Sequence, residues 1–136
     1  MNYRFTCEQP VRWKDIDAAG VLNNAVYLTL VEQSRFLYFR ELGLTEGAHF
    51  PFVLGETTVR YHRPGLAGMM LTVYARVSRL GNKGFDMEYE VKDGETSLAS
   101  VRAILVCVDE SLSSAEIPDD FRRTVAAFEG IPERSS

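Results

Sequence analysis

The chain has 136 residues, 46% of them apolar and 25% charged, with a formal charge of -4. That balance fits one soluble globular domain and excludes a disordered chain or a membrane protein; a net negative charge also argues against general nucleic-acid binding, which needs concentrated Lys and Arg. A chain of this length buries roughly 68% of its unfolded-state surface, enough for a core without disulfides or metals.

No window reaches the ~20 consecutive apolar residues of a membrane span. The start, MNYRFTCEQP, lacks the apolar stretch of a signal peptide, so a cytoplasmic protein is expected. Tyr3 to Lys14 is extended in character and runs into the turn-rich Asp15-Ile16-Asp17-Ala18-Ala19-Gly20. From about Asn24 to Leu42 the pattern is helical, with Tyr27, Leu28, Leu30, Val31, Leu37, Tyr38 and Phe39 covering more than one side and Gly43 as the stop. Such a helix is expected at the centre of the fold, buried on most sides.

The period then changes. Phe85, Met87, Tyr89 and Val91 alternate with Asp86, Glu88, Glu90 and Lys92, the pattern of a strand with one buried face. Similar runs cover about Phe52 to His62, Met70 to Leu80 and Ser97 to Val108. Pro64-Gly65, Gly81-Asn82-Lys83-Gly84 and Asp93-Gly94 connect them, and turns this short favour antiparallel neighbours. A short helix is expected near Pro118 to Phe128. The fold class is therefore α+β, an antiparallel sheet around one long helix, as a single domain over residues 1–128 with a loose tail at 129–136; the pattern alone also permits other α+β sheets. Cys7 and Cys107 lie in strand-like runs and, with only His49 and His62 besides, show no metal-site spacing. Both are expected to be reduced, structural thiols, His49 in a loop and His62 beside a strand end.

The segment Val11-Arg12-Trp13-Lys14-Asp15-Ile16-Asp17-Ala18-Ala19-Gly20-Val21-Leu22-Asn23-Asn24-Ala25-Val26-Tyr27-Leu28, followed by Glu32 and Arg35, concentrates the chemistry. It resembles the 4-hydroxybenzoyl-CoA thioesterase family, where the pattern is aromatic-x-D-x-D-x-x-G-x-x-x-[HN]-x-x-Y and then E-x-x-[AR]. Val59-Arg60-Tyr61-His62-Arg63-Pro64 and Val77-Ser78-Arg79-Leu80-Gly81 are similar to later pieces of the same pattern, and the resemblance spans about Tyr3 to Asp109. It implies the hot-dog fold and hydrolysis of an acyl-CoA thioester without a cofactor or metal. It also implies a homodimer or homotetramer with active sites at subunit boundaries.

Carried onto this chain, the resemblance makes Asp17 the catalytic carboxylate, as nucleophile or general base, and Asp15 structural. The plain alternative is that both aspartates only shape a turn or cap the helix. Asn24 opens the helix, where backbone N–H groups lack intrahelical partners, so its amide is the candidate donor to the developing oxyanion. Asn23 and Asn24 are also candidate N-caps. Tyr27 is a candidate wall of the acyl pocket or core packing. Glu32 is expected to pair with Arg35 one turn on, or to reach a neighbouring subunit's site. Arg63, Arg79 and Lys83 are candidates for the CoA phosphates. Three other readings compete. A hot-dog dehydratase wants a His six positions after Asp17, where Asn23 stands. A carrier-protein thioesterase of the plant type has a His where Val21 stands. A non-catalytic acyl-CoA-binding module would not need Asp17 beside a helix start.

Overall fold

The computed structural model describes residues 3–45 and 51–134; His49 lies outside them. Strand β1 (Phe5–Pro10) leads through a 3-10 turn (Trp13–Asp15) to helix α1 (Asn24–Glu41). Then follow β2 (Phe52–Tyr61), β3 (Met70–Leu80), β4 (Gly84–Asp93), β5 (Thr96–Cys107) and α2 (Asp119–Glu129). The strands form one antiparallel sheet in the order β1-β3-β4-β5-β2. Because α1 carries the chain from one side of the sheet to the other, β2 adds outside β5 instead of beside β1.

Alternation sets the two faces. In β4, Phe85, Met87, Tyr89 and Val91 are at most 1% exposed, and Leu71, Val73, Ala75 and Val77 of β3 continue the same face. Each large side chain buried in this way contributes about 2 kcal/mol. The intervening Asp86, Glu88, Glu90 and Lys92 lie on the other, more open face.

α1 packs on the apolar face through Tyr27, Leu30, Val31, Ser34, Arg35, Tyr38 and Phe39, a stripe with steps of three and four. The expectation of burial on most sides needs correction for the single chain. The sheet covers one flank only, and Leu28 and Phe36, off the stripe, stay 42% and 51% exposed. The buried polar members of the stripe are satisfied locally. Ser34 Oγ donates to the Leu30 carbonyl at 2.8 Å, and Arg35 Nε donates to Tyr89 Oη at 2.8 Å.

Two devices close the ends of the sheet. At one, the rings of Phe39, Phe52, Phe85 and Phe121 meet at centroid separations of 4.5 to 5.7 Å, joining α1, β2, β4 and α2. At β3, pairing with β1 stops at Phe5 and Ala75. Just beyond, the Val77 N–H donates to Glu129 Oε2 at 3.0 Å, and Tyr38 Oη donates to the same oxygen at 2.5 Å. The sequence places Glu129 in a loose tail; instead it is the last residue of α2 and 5% exposed. Gly130, at φ +68°, supplies the left-handed cap after it, and Ile131 still packs on the core. Glu129→Ala leaves two buried donors without an acceptor and is expected to lower the unfolding free energy by about 3 kcal/mol in equilibrium urea denaturation, with Glu129→Gln losing less. A loss below about 1 kcal/mol in the alanine variant would show that the clasp is idle.

Candidate active site

The Asp-x-Asp segment is shaped by its own hydrogen bonds before any tertiary contact is made. Asp15, 5% exposed, accepts from Arg12 three times: from the backbone N at 3.0 Å, Nε at 3.2 Å and Nη2 at 3.3 Å. Burial works to raise its pKa, but these bonds and the guanidinium charge outweigh burial and hold the carboxyl below its usual range. Asp15 also offers its carbonyl to the Asn23 N–H at 2.9 Å, and Ile16 bridges Leu22. The start of α1 is thereby tied back to the aspartate pair. The Asp15 side chain is thus committed to Arg12 and its carbonyl to the helix start.

Asp17 occupies the tip of this small hairpin. Its N–H donates to the Val21 carbonyl at 2.9 Å, its carbonyl accepts from Gly20 N–H at 3.0 Å, and Gly20 takes φ +82° to close the turn. The side chain is exposed; Oδ1 accepts from the Ala19 N–H at 2.8 Å, leaving Oδ2 open. The turn-shaping role weighed from the sequence is therefore real, and it uses one oxygen.

Asn23 is the N-cap, with Oδ1 accepting from the Ala25 N–H at 2.8 Å. Asn24 is the first helical residue, and among the described residues no acceptor meets its N–H. Tyr61, at the end of β2, donates from Oη to the Asn24 carbonyl at 2.9 Å, while its ring meets Tyr27 edge-on at 5.2 Å. The motif pieces around Asp17 do not mark Tyr61 as a support of the helix start; only the tertiary fold brings it there. Tyr27 is 1% exposed, and burial raises its phenol pKa while a backbone contact from Gly65 opposes this. Gly65 passes so close that a Cβ there would lie 3.1 Å from Leu22. A shallow cavity of about 210 Å³ results, lined by Asn24, Tyr27, Tyr61 and Arg63 among others. Of the residues singled out in the sequence, Asp17, Asn23, Asn24, Tyr27 and Arg63 thus come to one end of the molecule.

The remaining ones do not. Arg79 and Lys83 flank the β3–β4 turn, whose Lys83 carbonyl accepts from the Cys107 N–H at 2.7 Å, and Cys107 pairs with Phe52. Phe52 and Tyr61 are opposite ends of β2, about 30 Å apart at strand rise. Arg79 and Lys83 therefore do not rim the same entrance as Asp17 within one chain. Arg79 instead approaches Asp86 at 3.9 Å. Glu32 is exposed, and among the described residues no ion pair joins it to Arg35, because Arg35 turns inward to Tyr89. The two instead share a cavity of about 250 Å³ with Phe36, Phe52, Leu54 and Leu105. Among the described residues no group of three His, Cys, Asp or Glu side chains is placed to hold a metal.

Asp15→Ala is expected to loosen the hairpin and lower the unfolding free energy by about 2 kcal/mol. Since the folded Asp15 carboxyl lies below its ordinary value of 3.8, its share of stability is present above that pH and drains away as pH falls through the lowered folded value. Urea midpoints measured between neutral pH and pH 3 should therefore fall more steeply in the natural chain than in the variant; parallel curves would contradict this.

Comparison with known proteins agrees with the geometry. The thioesterase-like superfamily matches residues 11–125, a span that starts later than the resemblance read from the motifs and reaches into α2. The chain is 28% identical over 124 residues to a 1,4-dihydroxy-2-naphthoyl-CoA hydrolase of Nostoc punctiforme, covering 85% of this chain and 82% of that one. It is 27% identical over 107 residues to the acyl-CoA thioester hydrolase YbgC of Escherichia coli, covering 74% and 80%. A Thermus thermophilus thioesterase solved with coenzyme A and Zn superposes with a TM-score of 0.85 at 32% identity, over 96% of this chain and 97% of that one. With its antiparallel sheet, its helix and the matched span taken together, the chain belongs to the thioesterase-like superfamily of the hot-dog fold.

Proposed function

We propose that the protein hydrolyses an acyl-CoA thioester, with Asp17 as the reacting carboxylate and the Asn24 N–H as the donor to the oxyanion. The observation that carries this reading is that one hairpin ties an exposed carboxylate to a helix start, with no partner among the described residues for Asp17 Oδ2 or for the first helical amide. The names of the relatives support the substrate class.

In the nucleophilic route Asp17 Oδ2 forms a bond to the thioester carbon, the carbonyl oxygen becomes anionic against the Asn24 N–H, and the C–S bond breaks to release CoA thiolate, which takes a proton from water. Water then cleaves the mixed anhydride, giving the free acid and restoring the carboxylate. In the general-base route Asp17 takes a proton from water as that water attacks the same carbon, and the proton ends on the thiolate. Both routes need the helix dipole and the amide at the oxyanion. A single turnover in oxygen-18 water separates them, because only the anhydride route can place label in the Asp17 carboxylate.

The site is completed by a second copy. β2 is an edge strand of ten residues, with Val53, Leu54 and Tyr61 each more than two-fifths exposed, and Leu28 and Phe36 on α1 likewise open. Such an edge is normally covered. A two-fold pairing along β2 sets the Phe52 end of one copy beside the Tyr61 end of the other. It brings Arg79 and Lys83 of one chain toward Asp17 and Arg63 of its partner, where CoA phosphates need cations. The apolar cavity beside Phe52 and Leu54 then adjoins the partner's Asn24 and is suited to the acyl group. The free thiols of Cys7 and Cys107 favour a reducing, cytoplasmic setting.

Thiol release from a panel of short, long and aromatic acyl-CoAs tests the reading. The natural chain should turn over at least one, and Asp17→Asn, which keeps an acceptor for Ala19, should lose about 10²- to 10⁴-fold in kcat while remaining folded. Full activity in that variant would refute the role of Asp17, and no turnover across the panel would leave an acyl-CoA-binding module. Sedimentation should give at least twice the 15.3 kDa chain mass, and a monomer at working concentration would remove the composite site.

A further inference from the structure

Arg122 of α2 is 1% exposed and the largest of the fully buried side chains. Among the described residues it forms no ion pair with a carboxylate; its guanidinium is spent on backbone carbonyls. Nη2 donates to the Asn82 carbonyl at 3.2 Å and Nη1 to the Glu133 carbonyl, while among the described residues the buried Nε meets no acceptor. Asp119, Glu133 and Glu116 offset part of the charge from a distance, but a cation held this deep without a direct carboxylate partner still carries a desolvation cost that an apolar side chain of similar volume would avoid. Stability alone does not explain an arginine here.

The bond to Asn82 suggests what does. Asn82 lies in the turn between Arg79 and Lys83, and every carbonyl from residue 82 to 84 is held: Asn82 by Arg122 and by Ile117 N–H at 3.1 Å, Lys83 by Cys107 N–H at 2.7 Å, Gly84 by Gly81 N–H at 2.8 Å. The turn is also packed from below, since a Cβ on Gly84 would stand 2.5 Å from the Leu105 carbonyl oxygen. A two-cation turn with Leu80, Gly81 and Asn82 between its cations is thereby fixed at backbone level, with α2 as the anchor.

We infer that Arg122 is a positioning residue for the nucleotide half of the substrate: it holds the Arg79–Lys83 turn in the form that receives phosphate and touches no substrate itself. This rests on the assignment of Arg79 and Lys83 to the CoA phosphates. The test compares an acyl-CoA with the same acyl group on pantetheine, which lacks the nucleotide, for the natural chain, Arg122→Met, Arg122→Lys and Lys83→Ala, with thermal unfolding followed in parallel. Binding of adenosine 3′,5′-bisphosphate by calorimetry reads the same contact without turnover, and Arg122→Lys keeps a charge and a donor should the methionine variant not fold.

The expected result is that Arg122→Lys raises KM for the CoA thioester and weakens bisphosphate binding about tenfold, with kcat and the pantetheine thioester almost unchanged, as in Lys83→Ala. Equal losses on both thioesters, or unchanged bisphosphate binding in a folded variant, would overturn the role of Arg122 and make it plain structural support. If the natural chain itself hydrolyses both thioesters equally and Lys83→Ala changes nothing, the phosphate assignment falls, and Arg122 with it, while the role of Asp17 stands.

Discussion

A strand as regular as β4 has one apolar face, and five such strands side by side make a surface that water must not reach. Everything else in this molecule follows from covering it. α1 does most of that work with a single stripe, and its N-terminus emerges beside Tyr61, at the end of β2. That exit fixes where a free amide and a positive dipole point, and the hairpin tied by Asp15 brings a carboxylate to the same place. The juxtaposition of carboxylate and helix start is a by-product of closing the core.

α2 covers what α1 leaves. Its Phe121 completes the ring cluster, and its last residue, Glu129, satisfies a β3 amide that β1 is too short to reach. A second helix of eleven residues thus acts on the first through Tyr38 and on the β3–β4 turn through Arg122. The second helix is joined to the sheet and the turn by individual hydrogen bonds as well as by bulk burial, and that is why polar residues are found so deep at this end.

Most of the architecture was legible from the sequence because its signals are local. Alternation in β4, the glycine turns and the long helical run needed no knowledge of the fold, and β3 begins and ends at the residues where its pattern does. Asp15 and Asp17 stood out for the same reason, since the hairpin that holds them is closed within about a dozen residues. What the pattern misjudged depends on contacts far apart in the chain. Leu28 reads like a core residue, yet side-chain type does not say which flank the sheet will leave bare. Glu129 looked like solvated tail because its partners, Tyr38 and Val77, are more than fifty residues away. Arg79 and Lys83 sit in a motif alongside Asp17 but not in space alongside it, because an antiparallel strand reverses the order of its ends. Nothing in their own sequence separates that case from the other.

The two ends of β2 have a further consequence. Under the proposed assignment, with the reacting carboxylate at one end and the phosphate-binding cations at the other, each chain is half of two sites rather than the whole of one. Activity per chain would then depend on mass action: diluted below the dissociation constant of the pair, the protein would keep its fold and lose its turnover, and substrate bridging the two halves would draw the copies back together. In such an arrangement the thioester is both the reactant and a ligand of the assembly, and its own abundance sets how much enzyme exists.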